Sequence, residues 1–313
     1  MPAVGVAQLA PEIGYVHPAG AKAGTTVDLV LGGYDWTPDM QILVHDPRVK
    51  LELTSAPSGV LVPEPPYWFG LKARGYAWPL PREFPARLTV PADVAPGLVL
   101  FQVANANGIS PVGALQIGTI PEVVEAMPDN GPQVLPALPV TVSGQIKKIE
   151  EIDRYQFRVR KTGPVTIELT ARQLKSPLHA MIKVVDSKDR VLVDFADTAG
   201  RDFVQTFAAQ VDETYVLSVH DLDYAGDRSY VYRLSLSEGP RVVAAYPAAG
   251  KRGETRRVEF VLDQGHAIES VAQDIAFPLE PSNAPLAHLP FAVTFRGEAA
   301  AKGGAPAGKG KPA

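Results

Sequence analysis

Side chains that switch between apolar and polar at every second position recur through most of this chain, a period that suits half-buried β-strands. Tyr155, Phe157 and Val159 stand opposite Arg154, Gln156 and Arg158, and Val165, Ile167 and Leu169 opposite Thr166 and Glu168. The same period runs through Val27, Leu29 and Leu31, and through Val49, Leu51 and Leu53 with Lys50, Glu52 and Thr54 between. Turn formers separate these runs. Thirty prolines and 27 glycines in 313 residues interrupt the chain too often for long helices, so the expected class is all-β.

The runs group into blocks. Residues 11–120 add candidates at 42–44, 87–90, 98–104 and 112–117, giving about seven short strands, the size and rhythm of an immunoglobulin-like sandwich. Within it, 55–85 carries seven prolines together with Tyr67, Trp68, Phe69, Tyr76 and Trp78, and reads as an ordered loop lying over the sandwich. Residues 121–239 add runs at 140–146, 180–186, 191–194, 203–207, 214–220 and 230–236, about eight strands in all, enough for a second, jelly-roll-like sandwich of antiparallel sheets.

An internal repeat follows. Pro11-Glu-Ile-Gly-Tyr-Val-His-Pro18 with Gly24 is matched by Pro240-Arg-Val-Val-Ala-Ala-Tyr-Pro247 with Gly253, and each opening leads into an alternating strand. Residues 240–296 are therefore expected to form a partial Ig-like repeat with few clear strands. Residues 297–313, of Gly, Ala, Lys and Pro with one Glu, bury too little apolar surface to order and read as a tail. At the other end, 1–10 reads either as the remnant of a secretory signal peptide or as an ordinary leader.

Charge and composition narrow the partners. Thirty basic against 34 acidic residues give a net charge of -4, which provides no general attraction to nucleic acid phosphates. No apolar run approaches the roughly 18 residues of a membrane-crossing helix, so no helical span is expected. The chain has no cysteine, hence no disulfide, thiolate metal site or cysteine nucleophile. The six histidines, His17, His45, His179, His220, His266 and His288, show no zinc-site spacing. Ser110 sits in a Gly108-Ile-Ser-Pro-Val-Gly113 turn one residue too long for a nucleophile elbow. No phosphate-binding glycine loop is present, and the expectation is a protein that is not an enzyme.

The second block resembles the bacterial pre-peptidase C-terminal domain. The resemblance rests on Val142-Ser-Gly144, Glu151-Ile-Asp153-Arg-Tyr155-Gln-Phe157, Thr162-Gly163, Ser176-Pro-Leu178, Asp186, Asp197, Thr214-Tyr215-Val-Leu217-Ser-Val219 and Tyr230 to Leu236, in that family's order. The chain departs from the pattern at Arg154, where the family has an aromatic residue, and at Glu213, where it has glycine. The first block and the repeat at 240 resemble the Ig-like IPT/TIG modules that flank such domains, through their Pro18-Ala-Gly20 and Pro247-Ala-Ala-Gly250 openings and Pro96-Gly97 to Asn105-Ala-Asn107-Gly108. Together the resemblances imply an extracytoplasmic, non-catalytic architecture of the bacterial cell envelope.

Two sets of residues are candidates for binding. The pre-peptidase resemblance implies calcium as a cofactor at Asp129, Asn130 and Asp153, with Glu125 nearby; hard oxygen ligands suit that ion, while turn formation and strand opening explain the same residues without it. Independently, Tyr67, Trp68, Tyr76 and Trp78 offer flat apolar surface with a polar handle for a polysaccharide or an extracellular protein, or fold back as a lid over the sandwich end. The loop Asp221 to Asp227 reads as a hairpin turn. The reading that results is an exported binding or adhesion module. Its alternatives are an accessory part of a secreted peptidase or other enzyme encoded elsewhere, and a structural spacer without ligand.

Overall fold

The period-two pattern folds as it reads: the chain is all-β, in stacked and mainly antiparallel sheets. The computed structural model describes residues 9–57, 82–126, 131–279, 289 and 293. They fall into two compact units, one of Met1–Pro240 with Gln264–Ala267, the other of Arg241–Asp263 with Ile268–Ala313.

The first unit holds two sandwiches. In the first of them the strands are β1 (Glu12–His17), β2 (Gly20–Lys22), β3 (Thr25–Tyr34), β4 (Gln41–Val44), β5 (Lys50–Leu53), β6 (Arg82–Val90), β7 (Gly97–Asn105), β8 (Gly108–Ile109) and β9 (Gly113–Gly118). One sheet runs β1-β3-β6-β5 and the other β2-β9-β7-β4, with β8 on β7. Leu29, Leu31, Leu51, Leu88, Phe101, Val103, Leu115 and Ile117 point into the space between them. Trp36 closes this core: its ring stacks on Phe84 at 4.7 Å and its indole N–H donates to the Glu12 carbonyl at 2.9 Å.

The sequence placed all of 55–85 in a loop, but its last four residues, Arg82 to Pro85, begin β6. Pro85 fits there because its carbonyl accepts the Thr54 N–H at 2.9 Å, just past the end of β5. The missing proline N–H faces that same side, where the neighbouring strand has already ended. Most of the loop, and with it Tyr67, Trp68, Tyr76 and Trp78, lies outside the described residues.

The second sandwich is built from β10 (Glu122–Val124), β11 (Gln133–Val134), β12 (Val140–Gln145), β13 (Asp153–Phe157), β14 (Gly163–Thr170), β15 (Ala180–Val185), β16 (Val191–Ala196), β17 (Phe203–Ala209), β18 (Tyr215–Asp221) and β19 (Val231–Glu238). Its sheets run β10-β12-β19-β14-β17 and β11-β13-β18-β15-β16, and a single 3-10 turn, Arg172–Leu174, bridges β14 to β15. Tyr155, Phe157, Ile167, Leu169, Ile182, Leu217, Val219 and Leu234 are core residues here. Each fully buried aliphatic side chain of this kind contributes about 1.5–3 kcal/mol relative to exposure.

Two strands break the one-face rule. Every residue of β12 is buried, and so are the first four of β19. Val140, Val142, Tyr232 and Leu234 fill the sandwich core, while the alternate residues Ser143, Val231 and Arg233 are also buried, on the opposite face. There the first sandwich docks. Tyr15 and Ala19 pack with Leu174 and Val231, and the buried Arg233 guanidinium forms two hydrogen bonds to the Glu122 carboxylate. Gly20 makes room for it, since a Cβ at that position would lie 2.6 Å from Arg233 Nη1. Arg228 and Glu83 add an ion pair of 3.5 Å across the same seam.

The second unit is a three-stranded sheet, β20 (Arg241–Tyr246), β21 (Thr255–Asp263) and β22 (Ile268–Ala276), in the order β20-β21-β22. The sequence led us to expect few clear strands here, yet two of the three are nine residues long. Arg256, Arg257 and Glu259 lie close in sequence to the inward-facing Val258, Phe260 and Leu262, and this density of charge masks the alternation. The repeated openings fold alike. A register shift between Ile13 and Tyr15 in β1 has its counterpart between Val242 and Ala244 in β20, and Gly24 and Gly253 both adopt positive φ, 81° and 75°.

Replacing Arg233 with Met strands the Glu122 carboxylate at the seam. The expected cost is about 3–5 kcal/mol in a denaturant titration, and the Arg233→Met, Glu122→Leu double variant should recover most of it.

Candidate functional site

Three carboxylates meet at one end of the second sandwich. Glu125 follows β10, where its N–H donates to the Ser143 carbonyl at 2.9 Å and so continues the parallel pairing with β12. Glu151 lies in the connection from β12 to β13, and Asp153 opens β13. One oxygen from each of the three can be chosen so that all lie within 4.8 Å of one another.

Each carboxylate is held by a hydrogen bond that uses one of its oxygens. Glu125 Oε2 accepts the Gln145 N–H at 2.8 Å, Glu151 Oε2 accepts the Lys148 N–H at 2.9 Å, and Asp153 Oδ2 accepts the Tyr232 hydroxyl at 2.6 Å. Tyr232 in turn meets the Tyr155 hydroxyl at 2.5 Å. Gly144, the cross-strand partner of Tyr232, admits this ring, because a Cβ there would lie 2.2 Å from it. Glu151 Oε1 is buried and has no hydrogen-bond partner.

The electrostatics follow from this crowding. Burial, reinforced by the charge of Glu125, pushes Asp153 up to about 8 against the opposing effect of the Tyr232 hydrogen bond. Burial also raises Glu125, with Lys147 partly compensating. The hydroxyls of Tyr155 and Tyr232 are raised by burial and by their acidic neighbours, so they remain neutral donors. A cleft of about 290 Å³ opens on the site, lined by Glu125, Ala126, Gly131, Ile152, Asp153, Arg154 and Tyr155. The donor set is all oxygen, one oxygen is orphaned in a buried position, and the negative charge is only partly balanced; these features fit a hard divalent cation.

Of the residues singled out in sequence, Asp153 and Glu125 belong to this cluster, and Asp153 is also the strand opener that the alternative reading made it. Asp129 and Asn130 lie outside the described residues, in the chain between Ala126 and Gly131. Sequence reasoning missed Glu151 as a donor, although it begins the Glu151-Ile-Asp153 segment on which the resemblance rests, and it missed Tyr232 and Gly144.

Other candidates have structural roles. The Asp221 carboxylate accepts backbone N–H groups of His179, Asp223 and Ala225 at 3.0–3.1 Å, which organises a turn. Ser110 Oγ accepts the Val103 N–H at 2.9 Å and donates to the Pro111 carbonyl at 2.8 Å, stitching β7 to its neighbour. His17 is kept neutral by burial and by Lys147, its pKa lowered to about 4.

No model of a known family matches the sequence, and no curated protein matches it. Solved structures similar to this chain include the pre-peptidase C-terminal domain of a collagenase from Bacillus anthracis, 17% identical, covering 36% of this chain and 100% of that one with a TM-score of 0.29. PliG of Salmonella Typhimurium, a periplasmic inhibitor of g-type lysozyme, is 17% identical over 38% of this chain and 98% of its own, with a TM-score of 0.23. SGBP-B of a Bacteroides ovatus mixed-linkage glucan utilization locus, solved with a heptasaccharide, is 8% identical over 64% of this chain and 71% of its own, with a TM-score of 0.20.

Proposed function

We propose that this protein is an exported, non-catalytic binding module of the cell envelope that engages a polysaccharide or an extracellular protein, and that it is held in its working shape by calcium. The observation that carries the reading is the buried, unpartnered Glu151 Oε1 beside Glu125 and Asp153. Leaving such an oxygen unsatisfied is costly, and a cation that accepts six to eight oxygen ligands relieves it while neutralising the crowded charge. Glu125, Glu151 and Asp153 would hold the ion, with Asp129 and Asn130 as further donors. The tyrosine pair behind Asp153 keeps that carboxylate in place from the core side, which suits a structural ion better than an exchangeable substrate. The partner is assigned to the insertion, whose Tyr67, Trp68, Tyr76 and Trp78 are the residue types that offer flat apolar surface with a polar handle.

Calcium at a hundred times its dissociation constant should stabilise the fold by about 2.7 kcal/mol, read as a rise in melting temperature over the same protein in chelator. Glu151→Gln should abolish that rise, and an identical melt at millimolar calcium and in chelator would remove the metal from the proposal.

In chelator, the raised pKa of Asp153 makes the native state hold a proton that the unfolded chain releases. Its contribution is therefore fully present below about 3.8, declines as pH rises, and is lost once pH passes about 8. Denaturant titrations should show stability falling across that window, with a flatter profile in Asp153→Asn.

For the partner, Trp68→Ala and Trp78→Ala should each weaken retention on the bound polysaccharide or protein about tenfold, equivalent to about 1.4 kcal/mol, with melting unchanged. Unaltered retention in both would detach the insertion from binding.

A further inference from the structure

The two sheets of the second sandwich have unequal outer faces. The sheet that contains β12 and β19 spends part of its outer face on the docked first sandwich, whereas the sheet β11-β13-β18-β15-β16 turns its outer face to solvent. Register fixes what that face presents. Arg154, Ser218 and Lys183 are direct cross-strand neighbours on β13, β18 and β15, so an arginine and a lysine flank a hydroxyl. With strands about 4.8 Å apart, the two cationic positions lie about 9.6 Å from each other, comparable with the length of a disaccharide.

Two rows further along the same face, just past the end of β13, Arg158 adds a third exposed cation, its Nε bonded to the Thr214 hydroxyl at 2.9 Å. Asp194 on β16 is the acidic residue of these rows, opposite Lys183, and the two do not form an ion pair within 4.0 Å. The face is thus locally cationic in a chain whose net charge is -4.

Aromatic surface adjoins the cations. The Tyr224 ring stacks on His220 with centroids 4.6 Å apart and planes at 12°, and Tyr224 keeps 47% of its surface exposed. The loop that carries it is fixed by the Glu150 N–H donating to the Tyr224 carbonyl at 2.9 Å and by the Tyr224 N–H donating to the Asp221 carbonyl at 3.0 Å. Asp223 stands exposed beside it, at the rim.

We propose that this sheet face binds an acidic polysaccharide, with sugar carboxylates or sulfates on Arg154, Arg158 and Lys183 and the apolar face of a sugar ring on Tyr224. Guanidinium pairs with a carboxylate in a bidentate fork, Lys183 supplies a point charge, and Ser218 and Gln156 offer hydrogen bonds to ring hydroxyls. A rigid sheet loses little entropy when a flat polymer lies along it. The inference rests on the reading of the protein as a binding module and names a second binding surface besides the insertion.

The test is retention of the purified full chain on immobilised hyaluronate, uncharged dextran and polyglutamate at low and high salt. Hyaluronate should retain it, dextran should not, and retention should fall with salt as exposed charges are screened. Lys183→Glu with Arg158→Glu should weaken hyaluronate binding at least tenfold and Tyr224→Ala several-fold, with melting temperatures unchanged. Retention by hyaluronate no better than by dextran, or unaffected by these substitutions, overturns the proposal. So does equal retention by polyglutamate with Tyr224→Ala silent, which marks the face as a site for acidic protein. A loss confined to Trp68→Ala and Trp78→Ala sinks this surface and leaves the module reading standing.

Discussion

The arrangement of the first unit depends on a pair of strands with no free side. A strand in a two-layer sandwich ordinarily has one wet face, and its alternate residues are free to be polar. In β12 and β19 both sets are enclosed, so the residues that would face water need partners within the protein. Arg233 finds Glu122, Thr141 meets Ser235 at 2.9 Å, and the Gln145 side chain donates to the Arg228 carbonyl. These polar contacts do not contribute much net energy by themselves. All three lie within the second sandwich and satisfy the polar groups of its enclosed face, while the match to the first sandwich comes from Gly20, which leaves room for Arg233, and from the Arg228–Glu83 ion pair.

The alternation along β19 also connects the seam to the acidic cluster. Tyr232 and Arg233 are consecutive, so the pleat sends one inward to Asp153 and the other outward to Glu122. Across the ladder Gly144 and Ser143 oppose them, and the glycine is needed on the side where the tyrosine ring lies over the strand. A one-residue slip of β19 between β12 and β14 would exchange its two faces, place a guanidinium in the apolar core and leave Asp153 without its donor. The site and the docking of the two sandwiches are therefore set by one register.

This accounts for what could be read in the sequence. Strands such as β13 and β14 have one dry and one wet face, and their period appears directly in Tyr155, Phe157, Val165, Ile167 and Leu169. Val142-Ser-Gly-Gln145 has no such contrast, because its polar residues are as buried as its apolar ones, and nothing local distinguishes a serine in a seam from a serine in water. Glu151 was similarly obscured: it follows Glu150 in a charged stretch that reads as a surface turn, yet only 5% of Glu151 is exposed. Trp36 was overlooked because the other tryptophans lie in a conspicuous cluster. Its role depends on Gly33, where a Cβ would lie 2.1 Å from the indole, a constraint that no sequence period conveys.

The same geometry gives the sandwich its direction. Docking uses the outer face of one sheet, and the other sheet displays its alternate side chains on a rigid ladder, where their spacing is set by strand separation and pleat rather than by loop conformation. A cation at Glu125, Glu151 and Asp153 would tie the residue after β10, which belongs to the docked sheet, to the first residue of β13, which belongs to the displayed one. Such an ion would act as a clasp between the two layers at their open end. Its removal would loosen the alignment of β13 while the hydrophobic core between the sheets kept the fold together.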